Sequence, residues 1–353
     1  MGRSHSDGTG VTPAPSHTRP GPSRPRRLPD YLHLPHTPTV LSYGVGVDST
    51  AMLIELVSQG RKPDLVLTAD PGAEKPETYG YLDMMRGWMA SHDIEFHVVR
   101  YVTKRFKNYP PYNDLAGSLL TNGCLPSIAF GRSSCSLKYK AAPQQAFIKT
   151  WQPAIEAWAR GEKVIRYIGY DASKRDGQRY AHAATIEDPL FDNSYPLREW
   201  LWDRAACEDR IRAEGLPVPP KSSCVFCTAM KPDEVRALPA YWLRMIVLIE
   251  ARAAPRLRTV EGLWRRSTKS KPGRMTDFIR AERLLPQAEI DHIAASAPTS
   301  LLRFQEMAAH QPLDARPTLE TWLERFHAIP PQGGFHAQAS PEPLDAHERR
   351  RAA

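Results

Sequence analysis

No apolar run in this sequence approaches the ~20 residues that a bilayer-spanning helix needs. The opening stretch MGRSHSDGTG lacks the apolar core of a signal peptide. A cytoplasmic protein with no membrane partner is therefore expected. Cysteine is scarce, at five in 353 residues, and in a reducing compartment those thiols suit metal or redox chemistry better than disulfides. The Walker signature G-x-x-x-x-G-K-[ST] is absent, which excludes that kind of phosphate loop. No internal repeat is evident, so a repeat architecture is not expected.

What is present is an excess of positive charge. Lys and Arg number 47 against 39 Asp and Glu, a formal +8, which suits a polyanion such as nucleic acid or a phosphorylated substrate. Part of it sits at the ends, in Arg24, Arg26 and Arg27 and in Arg349, Arg350 and Arg351. Residues 1–36 and 331–353 carry little periodic apolar pattern and read as disordered tails, the first basic and proline-rich. Between them the reading is a domain over 37–240 and a helical extension over 241–330.

Within 37–240 the pattern alternates. TVLSYG, DLVLTAD, IEFHVVRY and KVIRYIGYD read as strands. DSTAMLIELVSQG reads as a helix capped near Asp48 or Ser49 and ended by Gly60. PETYGYLDMMRGWMASH reads as a helix opened by proline. This order predicts an α/β fold, a doubly wound parallel sheet with helices on both faces. A further helix is expected over 203–214. In the extension Tyr241, Trp242, Leu243, Ile246 and Leu248 are expected in the core, with base stacking as the other use of Trp242.

SYGVGVDSTAML, from Ser42 to Leu53, joins the first strand to the first helix. Such a loop offers free backbone N–H groups and the positive helix end to an anion. Gly44 and Gly46 let a ligand approach the backbone, and Ser42, Ser49 and Thr50 supply hydroxyls. Three readings fit the stretch by itself. One is a dinucleotide fingerprint with Asp70 as the ribose acid. Another is a PP-loop of the form S-G-G-x-D-S, and the last is a tight turn without a ligand.

Later segments favour the PP-loop. ADPGAEKPETYGYL (69–82) resembles the D-T-G-x-x-x-P-E-T segment of the phosphoadenosine phosphosulfate (PAPS) reductase family. SSCSLKYKAAPQQ (133–145) resembles that superfamily's cysteine-lysine-proline segment. IGYDASKRDGQR (168–179) resembles its nucleotide-contacting turn. YPLREWLWDRAACEDRIRAEGLPVPPKSSCVFCTAMKPDE (195–234) looks like the closing segment of PAPS reductase-like proteins of bacteria and phages. The resemblance, spanning about 39–240, is to the adenine nucleotide alpha-hydrolase (PP-loop ATP pyrophosphatase) superfamily. Gly44 and Val45 depart from the motif's Ser-Gly.

The resemblance implies ATP, or PAPS, bound with Mg²⁺ by Ser42, Gly44, Gly46, Asp48, Ser49, Thr50, Asp70, Lys140, Gly169, Asp171, Lys174 and Arg175. Asp48 and Lys138 are the candidate catalytic residues. Asp48 and Asp70 are the carboxylates nearest the metal, and the basic residues neutralise phosphate charge. Cys224 and Cys227 form C-x-x-C, which with two further thiols can hold a [4Fe–4S] cluster or zinc, and by itself suits thiol redox or sulfur-carrying chemistry. Relatives of this kind imply iron–sulfur, with zinc as the alternative. The expected ligands are Cys135, Cys207, Cys224 and Cys227, with Cys124 as alternate to Cys207.

The implied activity is an ATP pyrophosphatase-type enzyme that adenylates a substrate and supports sulfur transfer. Nucleic acid would be the acceptor, as in DNA phosphorothioation or tRNA thiolation, and a cysteine desulfurase the sulfur donor. PAPS or adenylyl-sulfate reduction is the alternative, although no cysteine follows Cys227. A nucleotide-binding module without turnover is the other.

Overall fold

Five short parallel strands carry the fold: β1 (Thr39–Ser42), β2 (Leu65–Ala69), β3 (Glu95–Val99), β4 (Val164–Tyr167) and β5 (Phe191–Ser194). Their spatial order is β3-β2-β1-β4-β5. The structure is a computed structural model that describes residues 36–103 and 109–328. The tails expected over 1–36 and 331–353 lie outside these residues, His36 aside. The described residues from Thr37 onward form one compact unit.

The first four strands fall on the apolar runs that predicted them. β5 has no such run, because FDNS is polar after Phe191. It is an edge strand paired to β4 alone, so little side-chain burial is imprinted on its sequence.

Helices α1 (Val47–Ser58) and α2 (Pro76–Ser91) connect the first three strands. Between β3 and β4 come α3 (Leu115–Asn122), α4 (Ser134–Ser136), a π turn over Leu137–Ala141, α5 (Ala142–Ile148) and α6 (Gln152–Ala159). Helix α7 (Lys174–Ala183) precedes β5, and α8 (Pro196–Glu199) and α9 (Arg204–Ala213) follow it. The chain continues through α10 (Pro232–Arg236), α11 (Ala240–Ala253), α12 (Met275–Ala281), α13 (Gln287–Ala309) and α14 (Leu319–Ala328).

Both faces of the central strands β1 and β2 are covered, so adjacent residues in them are both apolar. Val40, Leu65 and Leu67 pack with Ile148, Trp151 and Ala154 on one face. Leu41 and Val66 pack with α1, α2 and α9 on the other. Helix α1 is apolar almost all round because it lies between the sheet and α9, whose Cys207 and Ile211 are buried. Arg210 on α9 ties to Glu55 on α1 at 2.7 Å. After β1 the chain moves out through β2 to β3, and β4 returns on the other side of β1. The loops leaving β1 and β4 thus diverge at a topological switch point, where open α/β sheets bind ligands.

A third core joins α3, the C-x-x-C turn (Val225, Phe226), α11 and α13. The helices expected as an extension after residue 240 are built into this core. Leu243, Ile246 and Leu248 are buried as expected, and Trp242 is partly buried. Tyr241 is 36% exposed, on the solvent side of α11, where its ring meets that of Trp242 edge-on. Among the described residues no helix is long and apolar enough to cross a membrane.

Glu250 on α11 anchors the following turn. It is buried and accepts hydrogen bonds from the N–H groups of Leu263 (2.7 Å), Met275 (3.0 Å) and Thr276 (2.8 Å), and from the Thr276 hydroxyl (2.6 Å). Burial raises its carboxyl, and these donors work against the rise. Glu250→Ala strands the donors, so the expected loss is roughly 3–5 kcal/mol, read as a lower urea midpoint at constant slope. Glu250→Gln retains an acceptor and is expected to lose less.

Candidate functional site

The loop after β1 is held by hydrogen bonds at both ends. Tyr43 N–H still bonds to Leu67 O (2.8 Å), so the strand pairing extends one residue into the turn. Val45 takes the left-handed region at φ 56°, a strained choice for a β-branched residue. Gly46 caps α1 with no side-chain hydrogen bond, which leaves first-turn N–H groups open. The Ser49 hydroxyl accepts from Gly44 N–H and donates to Gly46 O, each at 3.2 Å, and so closes the loop on itself. Ser42 ends β1, half-buried.

Across the switch point the loop after β4 meets this turn through backbone. A Cβ on Gly169 would lie 3.2 Å from Ser49 N and 3.4 Å from the Asp48 carbonyl carbon. Beyond it, Asp171 is buried and accepts from Ser173 N–H and its hydroxyl. Ser173 caps α7, whose first residues Lys174 and Arg175 are exposed.

Asp48 stands between these loops. Its Oδ1 is buried without a hydrogen-bond partner, and the nearest cation is Arg204 at 3.6 Å. Burial pushes the carboxyl up to about 6; Arg204 and Arg175 oppose the rise, while Asp171 and Asp176 add to it. A bare buried carboxylate oxygen beside open amides fits a hard cation that accompanies phosphate. Nothing in the sequence marked Arg204 on α9 as its partner.

Two residues expected to bind nucleotide are engaged elsewhere. The Thr50 hydroxyl is fully buried and meets the Tyr43 hydroxyl at 3.0 Å. One turn into α1, it faces the core rather than the loop. Asp70 is saturated, accepting from Gly72 N–H (2.7 Å), Tyr79 hydroxyl (2.8 Å) and both Arg100 nitrogens (3.0 and 2.5 Å). Its work is to shape the turn after β2. There Gly72 has φ 79°, and a Cβ would sit 2.4 Å from Asp114 Cβ, so only glycine fits.

The cysteines divide into two groups. Cys207 is fully buried in the core of Tyr43, Val45 and Val47, and burial pushes its thiol up to about 12. It does not join the others, since helix α9 turns it under the β1 loop. Cys135, Cys224 and Cys227 line the third core, near enough for each to bear on the others' charge. Cys124 borders the same core, with Arg256 and Lys138 as its charged neighbours. Burial raises the thiols of Cys124, Cys224 and Cys227. Among the described residues no group of three or more His, Cys, Asp or Glu is placed to hold a metal ion.

The turn after β2 runs along this thiol group. Val225 N–H bonds to Ala73 O (2.9 Å) and Lys75 N–H to Ser223 O (3.3 Å), which brings Glu74 opposite Cys224. Lys140, expected at the phosphates, pairs instead with Glu74 at 2.7 Å. Lys138 sits among the rings of Tyr101 (4.8 Å), Tyr139 (5.1 Å) and Tyr112 (5.9 Å). Lys75 pairs with Glu234, which also accepts from Lys221 (2.9 Å). Burial works to raise that carboxyl, but hydrogen bonds from Lys75, Lys231 N–H and Lys221 outweigh it and hold it at about 2. Glu74 and Glu234 escaped the sequence reading because their partners are distant in the chain.

A cavity of about 740 Å³ opens between α7 and β5, lined in part by Tyr180, Asn193, Tyr195 and Arg198. Tyr195 stacks on Tyr170 (5.7 Å), the neighbour of Gly169.

No family model and no curated protein matches the chain. Among solved structures it is similar to the U34-tRNA thiolase NcsA from Methanococcus maripaludis with its [4Fe–4S] cluster. Identity is 11%, coverage is 69% of this chain and 80% of that one, and the TM-score is 0.33. A likeness that loose carries no weight for the site, which stands on its own geometry.

Asp48 and Gly169 test that geometry. The Asp48 carboxyl is raised from 3.8 to about 6 in the fold, so its stabilising effect belongs to low pH and is lost as pH rises through about 6. Without added cation, Asp48→Asn is expected to match the native protein below about pH 4 and exceed it above pH 6, by at most about 3 kcal/mol. Melting curves across pH check this. Gly169→Ala places a methyl against Ser49 N, so the two loops must move apart, and a lower melting temperature is expected.

Proposed function

We propose that the chain is an ATP pyrophosphatase-type enzyme that adenylates an acceptor and supports sulfur transfer to it, with nucleic acid as the acceptor class. The carrying observation is the meeting of the β1 and β4 loops at the switch point, with the uncapped first turn of α1 on one side and, between them, an Asp48 oxygen that has no hydrogen bond and only Arg204 at 3.6 Å as its counter-charge. The order of PP-loop-like segments along the chain agrees with it.

In this reading the first turn of α1 holds the β- and γ-phosphates of ATP. An acceptor oxygen attacks the α-phosphorus, a new P–O bond forms, and pyrophosphate leaves with the bond's electrons. The acceptor then carries AMP, and a sulfur nucleophile displaces it. Asp48 would hold Mg²⁺, which when bound offsets phosphate charge. Lys174 and Arg175 at the exposed start of α7 screen the leaving group, and the aromatic cavity beside Tyr170 takes the base.

Cys135, Cys224 and Cys227 would hold the iron–sulfur group. Their fit rests on three partly buried thiols near enough to bear on one another's charge, with Lys140 alongside. A cluster spaces its thiolates wider than a single zinc does, which agrees with thiols that gather without converging on one ion. A four-iron cluster on three thiolates keeps one iron free of protein, and access for exogenous sulfur is the chemistry it supplies when bound.

Purified without oxygen, the native protein is expected to contain iron and sulfide. Cys135→Ser, Cys224→Ser and Cys227→Ser should each lose both, whereas Cys207→Ser should keep them. Loss on Cys207→Ser, or stoichiometric zinc without sulfide, would overturn this part. With ATP, Mg²⁺ and nucleic acid, pyrophosphate should appear and Asp48→Ala should abolish it.

A second reading, a nucleotide-binding module without turnover, draws on Lys138 and Lys140 being engaged away from the loop. Tight ATP binding with no pyrophosphate under any acceptor would favour it.

A further inference from the structure

The positive charge of this chain is unevenly spread. Between Arg256 and Arg274 stand seven Lys and Arg against one acid, Glu261: a net +6, where the whole chain carries +8. Six of the seven are exposed. Elsewhere arginines tend to be matched, as in Arg100–Asp70, Arg210–Glu55, Arg236–Glu282 and Arg244–Glu289. Among the described residues none of these seven forms an ion pair. Arg258 and Arg266 donate to backbone carbonyls of their own turn, which orients them and leaves their charge outside any salt bridge.

The turn is also rigid, and it is tied to the thiol group. Glu250 pins its middle at Leu263 and its exit at Met275 and Thr276. Trp264 N–H bonds to Gly273 O (3.0 Å) and Thr268 N–H to Lys271 O (2.8 Å). The Trp264 indole donates to Met230 O (2.9 Å), and Met230 N–H bonds to Cys227 O (2.9 Å). A guanidinium nitrogen of Arg265 lies 3.6 Å from where a Cβ of Gly131 would be. Gly131 belongs to the turn whose Ser127 hydroxyl holds Cys135 N–H at 2.9 Å. Arg256 donates to Asn122 O, two residues before Cys124.

We infer that the turn over 256–274 is the surface on which the phosphate backbone of a nucleic-acid acceptor docks, so that the strand lies against Cys135 and Cys227. This rests on the acceptor class proposed above and adds where that acceptor sits. Unpaired, pre-oriented cations on a fixed turn release phosphate counterions at little ordering cost, and a phosphate track positions without reading sequence. The buried Trp264 packs the turn and is not a stacking platform.

The test is fluorescence anisotropy of the full chain with a labelled RNA hairpin and a labelled DNA duplex, without nucleotide. Arg265→Glu/Arg266→Glu/Lys269→Glu is expected to weaken binding roughly tenfold or more and to lower the salt slope by about one for each phosphate no longer neutralised. The control, Arg61→Glu/Lys62→Glu/Arg160→Glu, makes the same charge change at the amino ends of β2 and β4 and should bind as the native chain does. The neutral triple Arg265→Gln/Arg266→Gln/Lys269→Gln should show the same loss to a lesser degree with an unchanged melting curve. Equal loss in the turn and control variants would overturn the inference, and so would unchanged nucleic-acid binding. So would lost binding to phosphatidylserine vesicles with nucleic-acid binding intact. The assay needs no turnover: failure to release pyrophosphate would remove the proposed catalysis and leave this surface standing.

Discussion

The contact on which the rest of the molecule depends is backbone against backbone: the loop after β4 closing on the first turn of α1 at Gly169. Because no side chain stands between them, two loops that leave the sheet in different directions still share one crevice. That crevice exists because β1 is central, with β2 on one side and β4 on the other. The uncapped first turn of α1 and the Asp48 carboxyl, with Arg204 at 3.6 Å, lie beside that crevice as a result. An ionised carboxylate there is costly without a cation, the kind of local penalty that functional sites retain.

The second organising feature is the turn after β2. Asp70 shapes it, Gly72 lets it approach α3, and its next residues pair with the C-x-x-C segment. One loop therefore reaches from the carboxyl end of the sheet to the thiols. Glu74 with Lys140, and Lys75 with Glu234, neutralise each other along this path, since unmatched charges there would carry a large desolvation penalty. The thiol group and the basic turn over 256–274 are joined in the same way, through Trp264 and Met230.

The parallel sheet was legible in the sequence because strands covered on both faces are written as continuous apolar runs. β1 and β2 were readable for that reason, β3 and β4 through their β-branched and aromatic residues, and α1 through its largely buried circumference. β5 was not, because an edge strand with one ladder and a polar composition carries no such imprint. The loop between β1 and α1 was legible as well, since glycines, hydroxyls and an acid between an apolar strand and an apolar helix mark a tight strand-to-helix turn. The division of labour among its hydroxyls was not. Thr50 follows Ser49 directly, yet a step of about 100° around a helix turns one toward the loop and the next into the core.

By itself the sequence determined the fold class, the position of the turn between β1 and α1 and the presence of five thiols with one close pair. These depend on local periodicity and spacing. Only the tertiary structure decided which thiols meet, that Cys207 lies under the β1 loop while Cys135 joins Cys224 and Cys227, and that Lys140 and Asp70 are already matched. Those outcomes depend on which side of α1 and of the third core each segment packs against. Such packing is set by contacts between residues scores of positions apart, which no local pattern of residues can record.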